Sequence, residues 1–189
     1  MRVFLLSACL LLLAVPAAHA GPVDDLADLT RRSLTSTDPA RVFYRGLAEL
    51  GDVHLGRKQV AQALKLAGVK GQGAWAPVLT SIVELEIQGD QVTIRRDHEV
   101  LMSTPNGTMK LDPEVAFRLE LDGEDVVLSK IEGLSVGKTD VAPYAVTRTR
   151  YTVENGVPVV IAKVRVFFVM QTVRIEIPPE KLQGLADSL

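Results

Sequence analysis

Residues Arg96-Asp97-His98-Glu99 place the side chains of acid–base chemistry at four consecutive positions. A histidine titrates near neutrality, and a neighbouring carboxylate can orient it as a general base. Spacing decides whether they cooperate. In an extended strand, alternate side chains point to opposite faces, so Asp97 and Glu99 share one face and His98 takes the other. On that geometry the three form no acid–base constellation among themselves. His98 instead shares a face with Val92, Ile94, Arg96, Val100 and Met102. Arg96 and His98 then read as two polar groups in an apolar concavity, suited to a carboxylate or phosphate head group. The competing reading is a polar strand end that projects beyond the core. Trp75 follows a glycine-rich link and reads as hinge packing or as a ring at the mouth of a cleft. Phe117 lies on the apolar face of an alternating run. Arg96, His98, Trp75 and Phe117 are the candidate ligand-binding residues.

Most other chemistries are excluded by residue type. The chain has one cysteine, Cys9, and three histidines. It contains no paired-histidine zinc motif and no phosphate-cradling loop with its lysine. No serine sits in a nucleophile elbow. Gly68, Gly71 and Gly73 precede a strand, whereas a phosphate loop links a strand to a helix. His54 follows Gly51-Asp52 and reads as a loop residue. No catalytic residue, metal ligand or cofactor is assigned. An enzyme remains conceivable only through His98 with a carboxylate from another strand. Lys and Arg number 21 against 23 Asp and Glu, a balance that offers nucleic acid no electrostatic footprint.

The first twenty residues read as an address. Met1-Arg2 is a short basic start, Val3 to Val15 is apolar, and Ala18-His19-Ala20 precedes Gly21 as a small-x-small cleavage pattern. The apolar run is shorter than the roughly 20 residues of a spanning helix. Residues 1–20 are therefore expected to be a signal peptide, leaving no transmembrane segment after cleavage. The cut removes Cys9. A cysteine-free exported domain of this length suits the bacterial periplasm, with the extracellular space as the alternative.

The remaining chain, 21–189, is expected to be a single α+β domain: helices over 21–74, an antiparallel sheet over 75–178 and a short C-terminal helix over 179–189. Pro22 opens the first helix, with Asp24, Asp25 and Asp28 at its positive end. Asp38 caps the second, Pro39 starts it and Gly51 stops it. A third runs from Arg57 to Ala67 and ends at Gly68. From Leu79 the period changes to two, and turn dipeptides recur at Gly89-Asp90, Asn106-Gly107, Asp122-Gly123 and Asn155-Gly156, with another near 137–140. The predicted architecture is N-terminal helices packed on a long-stranded, curved antiparallel β-meander of about six strands, spanning 79–88, 91–103, 109–121, 125–136, 144–154 and 157–177.

The last of these strands is unusual. Val160, Ala162, Val164, Val166, Phe168 and Met170 share one parity, whereas Val173, Ile175 and Ile177 take the other. A bulge near Gln171-Thr172 would turn both sets inward. Phe167-Phe168 straddles the two faces, one ring in the core and its neighbour under a helix. Lys163, Arg165 and Arg174 would blunt the strand edge. Arg148 and Arg150 fall on one face with Tyr144 and Val146, as a solvated rim or a surface for an acidic partner.

A curved sheet under amphipathic helices can hold an apolar cavity. The leading functional expectation is a secreted or periplasmic, non-enzymatic protein that binds an apolar ligand such as a lipid or fatty acid in a sheet–helix cavity. The alternative is a protein-interaction or assembly module of a cell-envelope complex, engaged through an exposed strand edge.

Overall fold

The computed structural model describes residues 21–71, 76–104, 107–137 and 144–177. Within them the chain forms four helices and one nine-stranded sheet, so the fold is α+β with a large antiparallel sheet. The helices come first: α1 (Pro22–Leu34), α2 (Pro39–Leu50), α3 (Arg57–Ala67) and the short α4 (Ala76–Thr80). Their boundaries follow local chemistry. The Asp38 carboxylate accepts the Arg41 backbone N–H at 3.4 Å, and Pro39 occupies the first turn of α2. Gly68, at φ 84°, closes α3 while its N–H reaches back to the Lys65 carbonyl.

The strands are β1 (Val53–Leu55), β2 (Ile82–Gln88), β3 (Gln91–Arg96), β4 (Val100–Thr104), β5 (Gly107–Asp122), β6 (Asp125–Gly137), β7 (Tyr144–Glu154), β8 (Val157–Val166) and β9 (Val169–Glu176). Their spatial order is β1-β2-β3-β5-β6-β7-β8-β9, and β4 pairs with the outer part of β5. Every pairing is antiparallel. The meander expected from the turn spacing is present, but the count is nine and not six.

Three local causes raise the count. The expected 91–103 strand is interrupted at Asp97-His98-Glu99, where the β2–β3 ladder ends on the bond from the Asp97 N–H to the Ser81 carbonyl at 3.1 Å. Both pieces, β3 and β4, still pair with β5. The expected 157–177 strand folds back at Phe167-Phe168 into the β8–β9 hairpin, with no bulge at Gln171-Thr172. That fold-back resolves the parity conflict differently. Val160 faces Ile175 and Ala162 faces Val173 as cross-strand partners, so both sets share one side of the sheet. The ninth strand, β1, lies within the span read as purely helical and adds to the edge of β2. The first expected strand also starts late, because Ala76–Thr80 is helical.

One face of the sheet carries the core. Leu85, Ile87, Val92, Ile94, Val115, Phe117, Leu119, Val126 and Leu128 are buried beneath Leu26, Leu29, Leu47, Val60 and Ala63 of the helices. α1 packs on α2 and α3, α3 packs on β2, and α2 reaches β5, β6 and β7. Gly46 sets the closeness of α1 and α2, because a Cβ there would run into the Leu29 side chain. Gly133 serves the curvature. It lies where the β5–β6 register shifts, at φ 76°, and a Cβ would strike the Glu114 carbonyl. The register also shifts between Val146 and Arg148 of β7. Tyr144 and Val146 therefore pack on the core side with Thr149 and Tyr151, while Arg148 and Arg150 turn to the other face. The single face expected for Tyr144, Val146, Arg148 and Arg150 is thus split by a bulge.

Candidate functional site

Arg96 ends β3 with its side chain on the core side, in line with Val92 and Ile94. Only 8% of its surface is exposed, and its Nε and Nη1 have no hydrogen-bond partner. A guanidinium in the interior without a counter-charge is expensive, on the order of several kcal/mol. Burial accordingly pushes its pKa below the ordinary arginine value, and nearby Tyr44 offsets part of that effect.

Tyr44, on α2, is the centre of an aromatic group. Its ring stands edge-on to Phe43 at 5.7 Å and 72°, and edge-on to Phe117 at 5.7 Å and 89°. It lies 5.2 Å from Tyr151 of β7, tilted by 36°. These are favourable aromatic geometries. Burial of the hydroxyl ends raises the pKa of Tyr44 and raises that of Tyr151 further. Both therefore remain O–H donors at neutral pH. Thr149, two residues before Tyr151 on the same face, is 4% exposed and its Oγ1 has no partner. Among the described residues, every buried side-chain polar atom lacking a partner belongs to Arg96 or Thr149. One acts on Tyr44 and its neighbour flanks Tyr151.

The donor set thus centres on one fixed cation, Arg96, close to Tyr44 of α2, whose hydroxyl also bonds Tyr151. It can receive an anion or a strongly hydrogen-bonding head group. Phe117, 4% exposed, forms part of the wall as the sequence placed it. Tyr44, Tyr151 and Thr149 were absent from the sequence candidates. Tyr44 could have been found from its i, i+3 relation to Leu47 on α2. Tyr151 and Thr149 were hidden by the bulge that changes the parity of β7.

A groove lies close by. Ile82 is the cross-strand partner of Arg96 and also lines a concavity of about 560 Å³ between α3 and β2. Ala61, Leu64, Val69 and Val83 give it apolar walls, and Arg57, Lys65 and Lys70 contribute cations with no acidic residue in the lining.

His98 is placed elsewhere. It sits in the break between β3 and β4, is 64% exposed on its side chain, and does not share the inward face of Arg96. Its Nδ1 lies 2.6 Å from Asp97 Oδ1, a pairing that strand alternation had excluded. The interruption removes that alternation. Asp97 Oδ2 in turn lies 3.8 Å from Arg57. The pair is solvent-facing and sits outside the Arg96 group. His54 lies on β1, not in a loop, with its Nε2 3.8 Å from Glu84 Oε1. His54, Glu84 and Glu86 bring three possible metal-ligating atoms within 4.8 Å of one another. Arg95 already pairs with Glu84 and lies 3.9 Å from Glu86, so a guanidinium supplies the positive charge there. Trp75 lies outside the described residues.

Comparison with protein-family models, curated proteins and solved structures finds no match to this chain.

Proposed function

We propose that this chain is an exported, non-enzymatic binding protein for an apolar ligand with an anionic head, such as a fatty acid or an acidic lipid. The observation that carries the reading is the buried, unpartnered Arg96 guanidinium close to Tyr44, whose ring packs on Tyr151. A carboxylate or phosphate at that point would satisfy Arg96 Nε and Nη1 through charge-assisted hydrogen bonds. The phenols and Thr149 would complete its donors. Phe43, Phe117 and the α3–β2 groove supply apolar surface for the rest of the molecule. Trp75 and His98 are kept as proposed contacts of the same ligand.

Displacement of a fluorescent fatty acid tests this. The protein beginning at Gly21 should take up the probe, and Arg96→Leu should weaken uptake at least tenfold while keeping the fold. Equal uptake by both proteins, or none by either, overturns the proposal. An assembly module is favoured by a different observation: among the described residues β9 pairs only with β8, an edge position to which a partner strand could add. Recovery of a stoichiometric envelope protein that is lost when β9 is altered would support that second reading.

A further inference from the structure

The β8–β9 hairpin ends in two exposed phenylalanines. Phe167 is 83% exposed and Phe168 is 102% exposed, and Val169 and Met170 follow at 59% and 51%. Soluble surfaces seldom collect large apolar groups in this way without a use for them. The backbone adds a second oddity. Phe167 sits at φ 53°, a left-handed conformation that a bulky L-residue adopts at a cost. Asn or Gly would make this turn without strain. The tip thus combines local strain with unfavourable exposure, and neither helps the fold.

Charge near the tip is one-sided among the described residues. Arg148, Lys163 and Arg165 are exposed, and none forms an ion pair with a described residue. Arg148 and Lys163 are direct cross-strand partners, a like-charge pairing that disfavours the sheet. Between Glu154 and Glu176 the sequence contains no acidic residue. Both of those glutamates are held at the far end of the hairpin by Arg174, Glu154 at 2.7 Å and Glu176 at 3.5 Å.

We propose that the β8–β9 hairpin docks the protein on an anionic lipid bilayer, with Phe167 and Phe168 entering the interface and Arg148, Lys163 and Arg165 meeting lipid phosphates. The dimensions agree. A strand rises about 3.4 Å per residue, so Arg165 lies about 7 Å behind the tip and Lys163 about 14 Å behind it. Interfacial elements bury roughly 5–10 Å into the headgroup–acyl boundary. Tip insertion therefore brings Arg165 to the phosphates, with Lys163 and Arg148 in the adjacent aqueous layer where anionic lipid still attracts them. A bilayer accepts a protruding wedge without a shaped pocket. The inference stands on the hairpin alone and is independent of the Arg96 ligand reading.

Sedimentation with vesicles tests it, using the protein beginning at Gly21 and vesicles of phosphatidylethanolamine and phosphatidylglycerol or of phosphatidylcholine alone. The protein should pellet with the anionic vesicles and be released by salt. Phe167→Asn/Phe168→Ser should reduce the bound fraction at least tenfold. Its Tm should be unchanged or higher, because Asn tolerates the left-handed turn. Arg148→Gln/Lys163→Gln/Arg165→Gln should abolish the preference for anionic vesicles. Wild-type protein left in the supernatant overturns the proposal, as does equal pelleting of the phenylalanine variant. A dimer that forms without lipid and is lost in that variant would overturn it too, by assigning the tip to a second copy of the chain.

Discussion

The region of the sheet beneath the helices and the β8–β9 hairpin are built from similar residues and meet opposite fates. Under α1, α2 and α3, alternating side chains of β2, β3, β5 and β6 close into a core where Val92 and Val126 are fully buried. In the hairpin, Val169, Met170 and Val173 are exposed on a strand of which half the residues are β-branched. The difference is what lies opposite. The helical layer packs as far as β7, and the inward row Val169, Gln171, Val173 and Ile175 runs on past it. Apolar side chains are therefore buried in the first region and left exposed in the second. Each region also carries one costly feature: an unpaired guanidinium at Arg96 and a left-handed phenylalanine at 167.

Paired substitutions across the two regions should separate them most widely. Val164 is 3% exposed on the inward face of β8. Val164→Asp should unfold the protein, since an unpaired buried charge costs several kcal/mol against a total stability of about 5–15 kcal/mol. Phe168→Ser, four residues away, should stay within about 0.5 kcal/mol of wild type. Urea denaturation followed by circular dichroism measures both. A large loss at Phe168 would mean that the tip belongs to the core.

Gly46→Ala sharpens the account of the helical layer. The added methyl meets Leu29, which is 1% exposed and has little room to yield. Overpacking of this kind costs about 1–3 kcal/mol. A Tm equal to wild type would show that α1 and α2 can separate freely. Arg96→Leu should move stability the other way in ligand-free protein. Replacing an unpaired buried charge with an apolar group of similar length is expected to be neutral or to stabilise by about 1–4 kcal/mol. A clear loss of stability would mean that Arg96 has a partner within the fold.

The smallest effect is acid sensitivity of the hairpin. Arg174 holds the Glu154 carboxyl below its ordinary value of 4.5, which ties β9 to the end of β7. A depressed carboxyl stabilises fully above its unfolded pKa, and the contribution fades as pH falls through the lower folded value. Amide exchange in β9 should therefore rise below pH 4.5, ahead of exchange in β3. Simultaneous opening of both strands would show the hairpin to be no looser than the covered region.

Sequence legibility followed the same divide. Caps and glycine stops defined α2 and α3 almost to the residue because those signals are local, and Pro22 marked the start of α1. The Gly89-Asp90 and Asn155-Gly156 turns were equally plain. The 97–99 interruption was invisible because Asp97-His98-Glu99 carries no Gly or Pro to mark a break, and Asp97 still continues the β2–β3 ladder through its bond to Ser81. The Phe167-Phe168 turn carries none of the Gly, Asn or Asp that announces a hairpin, so β8 and β9 read as one strand. At the site, Arg96 and Phe117 followed from strand parity. His98 did not, since it lies in the interruption, and Tyr151 did not, since the β7 bulge reverses its parity. Sequence periodicity holds only as far as the ladder is unbroken.

Native mass spectrometry of the protein, purified without detergent, tests the central claim most directly. The account predicts extra mass that organic extraction removes, an acidic apolar molecule in the extract, and no such mass on Arg96→Leu. Bare mass for the wild type, unchanged after incubation with fatty acids or acidic lipids, would contradict it.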